Sequence, residues 1–237
     1  MVAVVMTADA VPRPRLHATT TCTKDGWTYH ADLLTRIAHT VISPDTLELL
    51  ADLCIDGGWW AELRGALDVA AAVPTDREAA RTMWMRRSFP LFLGFDDPDR
   101  VERVTGHATC TGPANLTGGS LTVMNPECWG SVPVGFDAGL LHAYGLRVPA
   151  VAARVRDEFA HVLDTPAGRI GELAALCEML QAVARGEYAE SAPCPHGPCV
   201  RIDRATAFST AAAQVIRCVH ALGRCPGGMN TPSCVCP

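Results

Sequence analysis

The spacing of apolar residues predicts helices over most of the chain. The N-terminal helices are predicted to begin near Ser43, near Trp59 and near Thr75, and Pro90 closes the last of them. Ser43 is followed by a proline, which pairs an N-cap residue with a first-turn proline. Thr75 and Glu78 have the spacing of a capping box. Helical periodicity of this kind indicates elements with one buried face.

Helices are predicted again in the second half of the chain. Pro149 opens one helix, and Thr165 with Pro166 caps another that carries a long apolar stripe. Cys177 lies on that stripe and is predicted to be a core thiol. A last helix is predicted from about Asp203 to Leu222.

The middle of the chain has a different pattern. Residues 106–135 are glycine-rich, with β-type runs at 120–124 and 131–134, which predicts short strands joined by tight turns. Residues 1–26 show no periodicity. The predicted fold is therefore mostly α with a small zinc-ribbon-like β hairpin unit, an α+β arrangement. Its predicted parts are a mobile N-terminal arm (1–30), an N-terminal helical region (31–105), the zinc-ribbon-like hairpin unit (106–145), a helical pair (146–190) and a Cys/His-rich C-terminal region with one helix (191–237).

Composition narrows the class of protein. The chain has 237 residues, of which 49% are hydrophobic and 19% charged, as expected for a folded core and not for a disordered chain. No apolar run reaches the length of a membrane span. The net charge is −5 and no basic cluster is visible, so a nucleic-acid partner is not expected. Lys24 is the single lysine among 20 basic residues, which indicates a GC-rich genome, bacterial or viral.

The cysteines are expected to be reduced. The first residues lack the basic and apolar regions of a signal peptide, so the expected location is intracellular: the cytoplasm, or the host cytoplasm or nucleus if the source is viral. Eleven cysteines in such a compartment indicate metal binding more often than disulfides.

The first candidate metal site lies in the glycine-rich segment. His107 and Cys110 are three residues apart, as are Asn125 and Cys128, and each pair has a glycine two residues beyond it. This is the spacing of zinc knuckles, in which glycine permits the turn around the sulfur. Asparagine is a poor zinc ligand. Four interpretations stay open: a fourth ligand from elsewhere such as His142, an open catalytic position, a site that has lost its metal, or ordinary thiols.

The second candidate site is C-terminal. Eight potential ligands fall within 43 residues there. The preferred tetrahedral zinc site uses Cys194, Cys199, Cys218 and Cys225, with His196 or His220 as substitutes. The alternative is a pair of disulfides or free thiols.

One stretch resembles a known family. Residues 89–94 (Phe-Pro-Leu-Phe-Leu-Gly), 107–112, Leu121–Val123 and Pro126 are similar to the central stretch of alkylmercury (organomercurial) lyases. The resemblance covers fewer than 40 residues. It implies a catalytic cysteine that attacks the mercury of a carbon–mercury bond, and Cys110 is the residue to which that role would pass.

The sequence leaves two function classes open. The favoured one is an intracellular zinc-binding interaction or regulatory protein with a protein partner, in which zinc is a structural staple. The alternative is a thiol-dependent enzyme that acts on a soft metal or an electrophile through Cys110. A closed four-coordinate metal favours the first class, and an open cleft with His107, Cys110 and Cys128 converging favours the second. Neither a partner nor an oligomeric state follows from the sequence.

Overall fold

The computed structural model describes about two thirds of the chain, in several pieces. The described residues are 11–44, 49, 53, 55–96, 100–124 and 128–185, with the backbone alone for Thr109 and Cys110. The predicted stripe of the helix after Ser43, with Leu47, Leu50 and Cys54, lies outside these residues, and so does all of 191–237.

The described residues form an α+β arrangement of helices and two antiparallel two-stranded sheets. The strands are β1 (Leu16–Lys24), β2 (Trp27–Leu34), β3 (Arg103–Gly106) and β4 (Gly130–Pro133). The helices are α1 (Gly57–Ala71), α2 (Thr82–Ser88), α3 (Phe136–Gly145), α4 (Pro149–Glu158), α5 (Ala160–Leu163) and α6 (Pro166–Ala184). Within this part of the chain, none of the helices has both the length and the apolar character needed to cross a bilayer.

The first sheet corrects the prediction for the N-terminal region. Residues 16–34, predicted to be an arm without regular structure that leads into a helix, form a β-hairpin. Asp25 and Gly26 connect the strands with φ of 53° and 79°, which is the geometry of a type I′ turn. The Asp-Gly pair at this position is a local signal for a hairpin.

The second sheet joins two distant parts of the chain. β3 pairs with β4 from Arg103 opposite Pro133 to Gly106 opposite Gly130. The run predicted as a strand at 120–124 forms only an isolated bridge, from Val123 to Leu116, and two short 3-10 turns precede it. The predicted strand at 131–134 corresponds to β4. A zinc-ribbon hairpin is thus not what these residues show.

Helix α1 forms where it was predicted. The Asp56 side chain caps it by accepting a hydrogen bond from the Trp59 backbone N–H at 2.9 Å. Trp59 and Trp60 are buried and meet edge to face, with ring centroids 5.1 Å apart. The Trp59 indole N–H donates to the carbonyl of Thr117 at 2.9 Å. Both tryptophans therefore belong to the core of the described residues.

Helix α2 begins later than predicted, and a separate π-helical turn extends the helical segment beyond the predicted end. Thr75 to Ala80 are not helical, and the Glu78 carboxylate instead accepts from the hydroxyl of Thr82, at 2.9 Å, at the helix start. Pro90 does not end the segment, because a π-helical turn from Phe89 to Leu93 follows directly. Gly94, with φ of 77°, stops it.

Helix α3 was not predicted. All ten of its residues are buried, so it has no polar face and therefore no amphipathic signal. Gly139 allows α6 to approach closely, because a Cβ there would lie 2.7 Å from the Cα of Glu172. The predicted hairpin unit at 106–145 thus contains a central helix.

Helices α4 and α6 confirm the predictions for the second half. Thr165 caps α6 by accepting from the Gly168 N–H at 2.9 Å, and Cys177 is buried. Two apolar clusters make up the core of the described residues. Ala138 and Leu141 belong to the cluster around α1, whereas the rest of the apolar side chains of α3 pack with α2 and α6. Helix α3 therefore lies between the two clusters.

Candidate functional site

The described residues contain part of the first predicted metal site and none of the second. Cys194, Cys199, Cys218 and Cys225 lie outside them, as does Asn125. For Cys110 the backbone is described, within the short turn Ala108–Thr111, and the side chain is not.

His107 follows β3 directly and is the most deeply buried of the predicted ligands that can be placed. Its side chain is 1% exposed, and among the described residues neither ring nitrogen has a hydrogen-bond partner. Buried polar groups are almost always paired in folded proteins, and an exception needs an explanation such as an ion or a water. His107 is therefore the strongest indication of a site.

Asp137 fixes the backbone on which His107 stands. Its two carboxylate oxygens accept from the backbone N–H groups of His107, at 2.7 Å, and of Ala108, at 2.8 Å. Gly106 makes this approach possible, because a Cβ there would lie 2.7 Å from Asp137 Oδ2. The start of α3 is thereby joined to the end of β3 through one buried carboxylate.

Burial sets the protonation of this pair. It lowers the pKa of His107, with a further lowering from the charge of Arg13, and the charge of Asp137 opposes the shift. Burial also raises the pKa of Asp137, against the attraction of His107 and the hydrogen bonds it accepts. Both shifts have the same origin, since removal from water disfavours the charged form of either group.

The turn that carries Cys110 begins in an unusual conformation. Ala108 has φ of 50°, in the left-handed region that side chains other than glycine rarely adopt. Such strain is found preferentially at functional sites, where the surroundings hold it in place. Here the Asp137 carboxylate bonds the Ala108 N–H and thus stabilises the strained residue.

Cys128 is a half-buried free thiol two residues before β4. The last pair of the sheet, Gly106 with Gly130, brings the chain before β4 to the level at which His107 leaves β3. In the part of the chain that the structure describes, however, no three His, Cys, Asp or Glu side chains are placed to share a metal ion. The predicted ligand set is therefore not assembled from described side chains alone.

His142 takes part in a different cluster. Its Nδ1 lies 2.7 Å from Glu172 Oε1, and the other oxygen of Glu172 accepts from Arg156 at 2.9 Å. Arg156 also contacts Asp164 at 2.6 Å. Although burial opposes ionisation of Glu172, its hydrogen bond with His142 and the charges of His142 and Arg156 hold its pKa below the usual value. This cluster ties α3, α4 and α6 together, and His142 is paired with a carboxylate instead of completing a knuckle.

A small cavity of about 130 Å³ lies beside the site. Apolar side chains from α1, β3, β4 and α5 form most of its wall, and Asp137 and Thr105 contribute polar groups. A space of this size holds a few water molecules or one small apolar molecule.

Sequence reasoning found His107 from its spacing to Cys110 but did not find Asp137. The available signal was weak: an acidic residue in the first turn of a helix that was itself not predicted. Comparison with known proteins adds no assignment, since no protein family, no curated protein and no solved structure matches this chain.

Proposed function

We propose that the protein is an intracellular zinc-binding interaction or regulatory protein, in which zinc has a structural role and stabilises the fold. The observation that supports this proposal is the fully buried imidazole of His107, whose two nitrogens have no partner among the described residues. An imidazole in that state is well suited to a zinc ion, which prefers nitrogen and thiolate ligands.

Two thiols are the proposed co-ligands. Cys110 lies three residues beyond His107 in the same short turn, and Cys128 precedes the strand that pairs with β3. The pairing of β3 with β4 supplies a ribbon-like frame on which the two ends of the segment meet. The buried carboxylate of Asp137 holds the backbone of His107, as outer partners of metal sites do.

The C-terminal cluster is the second proposed zinc site, with Cys194, Cys199, Cys218 and Cys225 as ligands. Its support is the ligand density of the sequence. A metal there would contribute folding energy directly to this segment.

Metal analysis of the purified full chain under reducing conditions tests both sites separately. We expect His107→Ala to lose about one equivalent of zinc and Cys199→Ser to lose about one other. His161→Ala is the matched control, because His161 lies exposed on α5. Unchanged zinc content in the His107 variant would refute the first site, and unchanged content in the Cys199 variant would refute the second.

A spectroscopic measurement keeps the first site testable if the His107 variant folds poorly. Cobalt(II) in place of zinc gives a thiolate-to-metal charge-transfer absorption when cysteine is a ligand. We expect Cys110→Ser to weaken that absorption in the cobalt-loaded protein. An identical spectrum in the variant and the unmodified chain contradicts the proposed ligand set.

The second candidate function is a thiol-dependent enzyme with Cys110 as nucleophile. The observation that favours it is the strained backbone of Ala108, held by Asp137 beside His107, whose ring nitrogens have no partner among the described residues. A thiol nucleophile needs a neighbour that accepts its proton or lowers its pKa, and His107 is the nearest such group in sequence. Because burial lowers the pKa of His107, its role would be that of a proton acceptor.

Alkylation separates the two candidates. A structural zinc protects Cys110 from iodoacetamide until a chelator removes the metal. An enzymatic thiolate reacts faster than the buried Cys177 at pH 7 and slows in His107→Ala. We expect protection, and rapid alkylation of Cys110 in the metal-loaded protein would reverse the choice.

A further inference from the structure

The β1–β2 hairpin extends from the rest of the described structure. Every residue of both strands is exposed. An isolated two-stranded hairpin is at best marginally stable in water. The hairpin therefore lacks, within the described residues, the covered face that such an element needs.

The two faces of the hairpin differ in chemistry. Side chains alternate along a strand, and residues that pair across strands share a face. The register pairs Thr21 with His30 and Thr23 with Thr28 on one face, where the Thr21 hydroxyl and the His30 ring lie 2.9 Å apart. This polar face is suited to solvent.

The opposite face, which we call the Trp27 face, is largely apolar. It consists of four cross-strand pairs: Lys24 with Trp27, Cys22 with Tyr29, Thr20 with Ala31 and Ala18 with Leu33. Its large side chains are well exposed: Trp27 by 71%, Tyr29 by 53% and Leu33 by 63%. Contiguous exposed apolar groups of this kind mark interaction surfaces.

We propose that the Trp27 face is covered by the same face of a second copy of this chain, related by a two-fold axis. Apolar side chains lie along both strands of this face. A two-fold axis therefore places apolar side chains of one copy against apolar side chains of the other, which makes the interface self-complementary. Lys24 is the single charged residue among the eight residues of the Trp27 face. Repulsion between like charges of the two copies is therefore small. The partner is therefore chosen by shape and apolar area and not by charge.

The area of the face fits a weak dimer. Large aromatic side chains bury 150–250 Å² each, and with the exposed fractions of Trp27 and Tyr29 the face offers on the order of 500 Å² per copy. Two copies then bury about 1,000 Å² in total, which is the lower limit for a specific interface. A reversible, concentration-dependent dimer is the expected state. This proposal does not depend on zinc binding, and a chelator should leave the dimer intact.

Sedimentation velocity of the full chain from roughly 1 to 200 µM tests the proposal. We expect a shift from monomer to dimer, and we expect Leu33→Ser to weaken the dimer about ten-fold or more. The matched control is Leu91→Ser, since Leu91 is 74% exposed but lies in the π-helical turn away from the hairpin. A monomer at all concentrations, or an equal effect of the two variants, overturns the proposal.

A measurement on the unmodified chain covers the case in which Leu33→Ser unfolds the hairpin. Cys22 lies near the centre of the Trp27 face, opposite Tyr29, so a face-to-face dimer shields it. Alkylation of Cys22, followed by peptide mass spectrometry, should slow as protein concentration rises. A rate independent of concentration, open-ended oligomers typical of edge-to-edge strand pairing, or binding of the monomer to lipid vesicles in place of dimerisation would each contradict the proposal.

Discussion

The substitution Glu172→Gln probes the buried ion cluster that joins α3, α4 and α6. The Glu172 side chain is 1% exposed, and its oxygens lie 2.7 Å from His142 Nδ1 and 2.9 Å from Arg156 Nη1. Breaking a buried pair by removing one partner costs about 3–5 kcal/mol, because the other charge is left without compensation. Arg156 is 33% exposed, and in the variant its guanidinium still has the Asp164 carboxylate as a partner at 2.6 Å. Its charge is therefore not left without compensation. We therefore expect a loss near the lower limit, about 3 kcal/mol.

The assay is urea unfolding of the full chain, followed by circular dichroism. Asp164→Asn provides the matched control, because Asp164 binds the same guanidinium but its side chain is 60% exposed. An exposed ion pair contributes about 0–1 kcal/mol, so this variant should unfold nearly like the unmodified chain. Equal losses in the two variants, or a loss below about 1 kcal/mol for Glu172→Gln, would show that burial does not decide the strength of these contacts.

The same cluster predicts a pH dependence. The pKa of Glu172 is lowered in the folded protein, so the native state favours the ionised carboxylate. Its stabilising contribution is fully present above the unfolded-state pKa of about 4.3 and is lost as the pH falls through the lower folded-state pKa. The stability difference between the unmodified chain and Glu172→Gln should therefore shrink on acidification below about pH 4. A difference that is constant from neutral to acidic pH contradicts this linkage.

Two further predictions concern packing and thiol reactivity. Gly171→Ala should destabilise the fold by about 1–3 kcal/mol or more, because the new Cβ would lie 2.0 Å from the carbonyl oxygen of Val134. In the control Gly65→Ala the new Cβ meets no atom within 4 Å, so this variant should stabilise α1 by about 0.5–1 kcal/mol. Thermal unfolding compares the two variants, and a similar change in both would refute the steric argument. Burial raises the pKa of Cys177 to about 12, so Cys177 should resist iodoacetamide at pH 8. The exposed Cys22 should react in dilute protein, below the concentration at which the proposed dimer forms. Modification of both at the same rate would contradict the placement of Cys177 in the core.

Local sequence signals determined much of the helical structure. Caps and apolar stripes are read within a few residues, so α1, α4 and α6 could be predicted from residues such as Thr165 and Pro166. The hairpin at 16–34 also had a local signal in Asp25 and Gly26, although the absence of an apolar stripe led to the prediction of an arm. Both of its strands are exposed throughout, so the alternation of buried and exposed positions that marks most strands is missing there.

Only the tertiary structure decided how the candidate site is assembled around His107. Helix α3 is buried on all sides and has no polar face, so periodicity could not reveal it. The contact of Asp137 with the backbone of His107 links residues 30 positions apart and depends on the close approach that Gly106 permits. The spacing of His107 and Cys110 indicated a metal ligand, but whether an imidazole is buried without a partner depends on how distant elements pack. That packing is a cooperative property of the whole chain, and for this reason no local pattern encodes it.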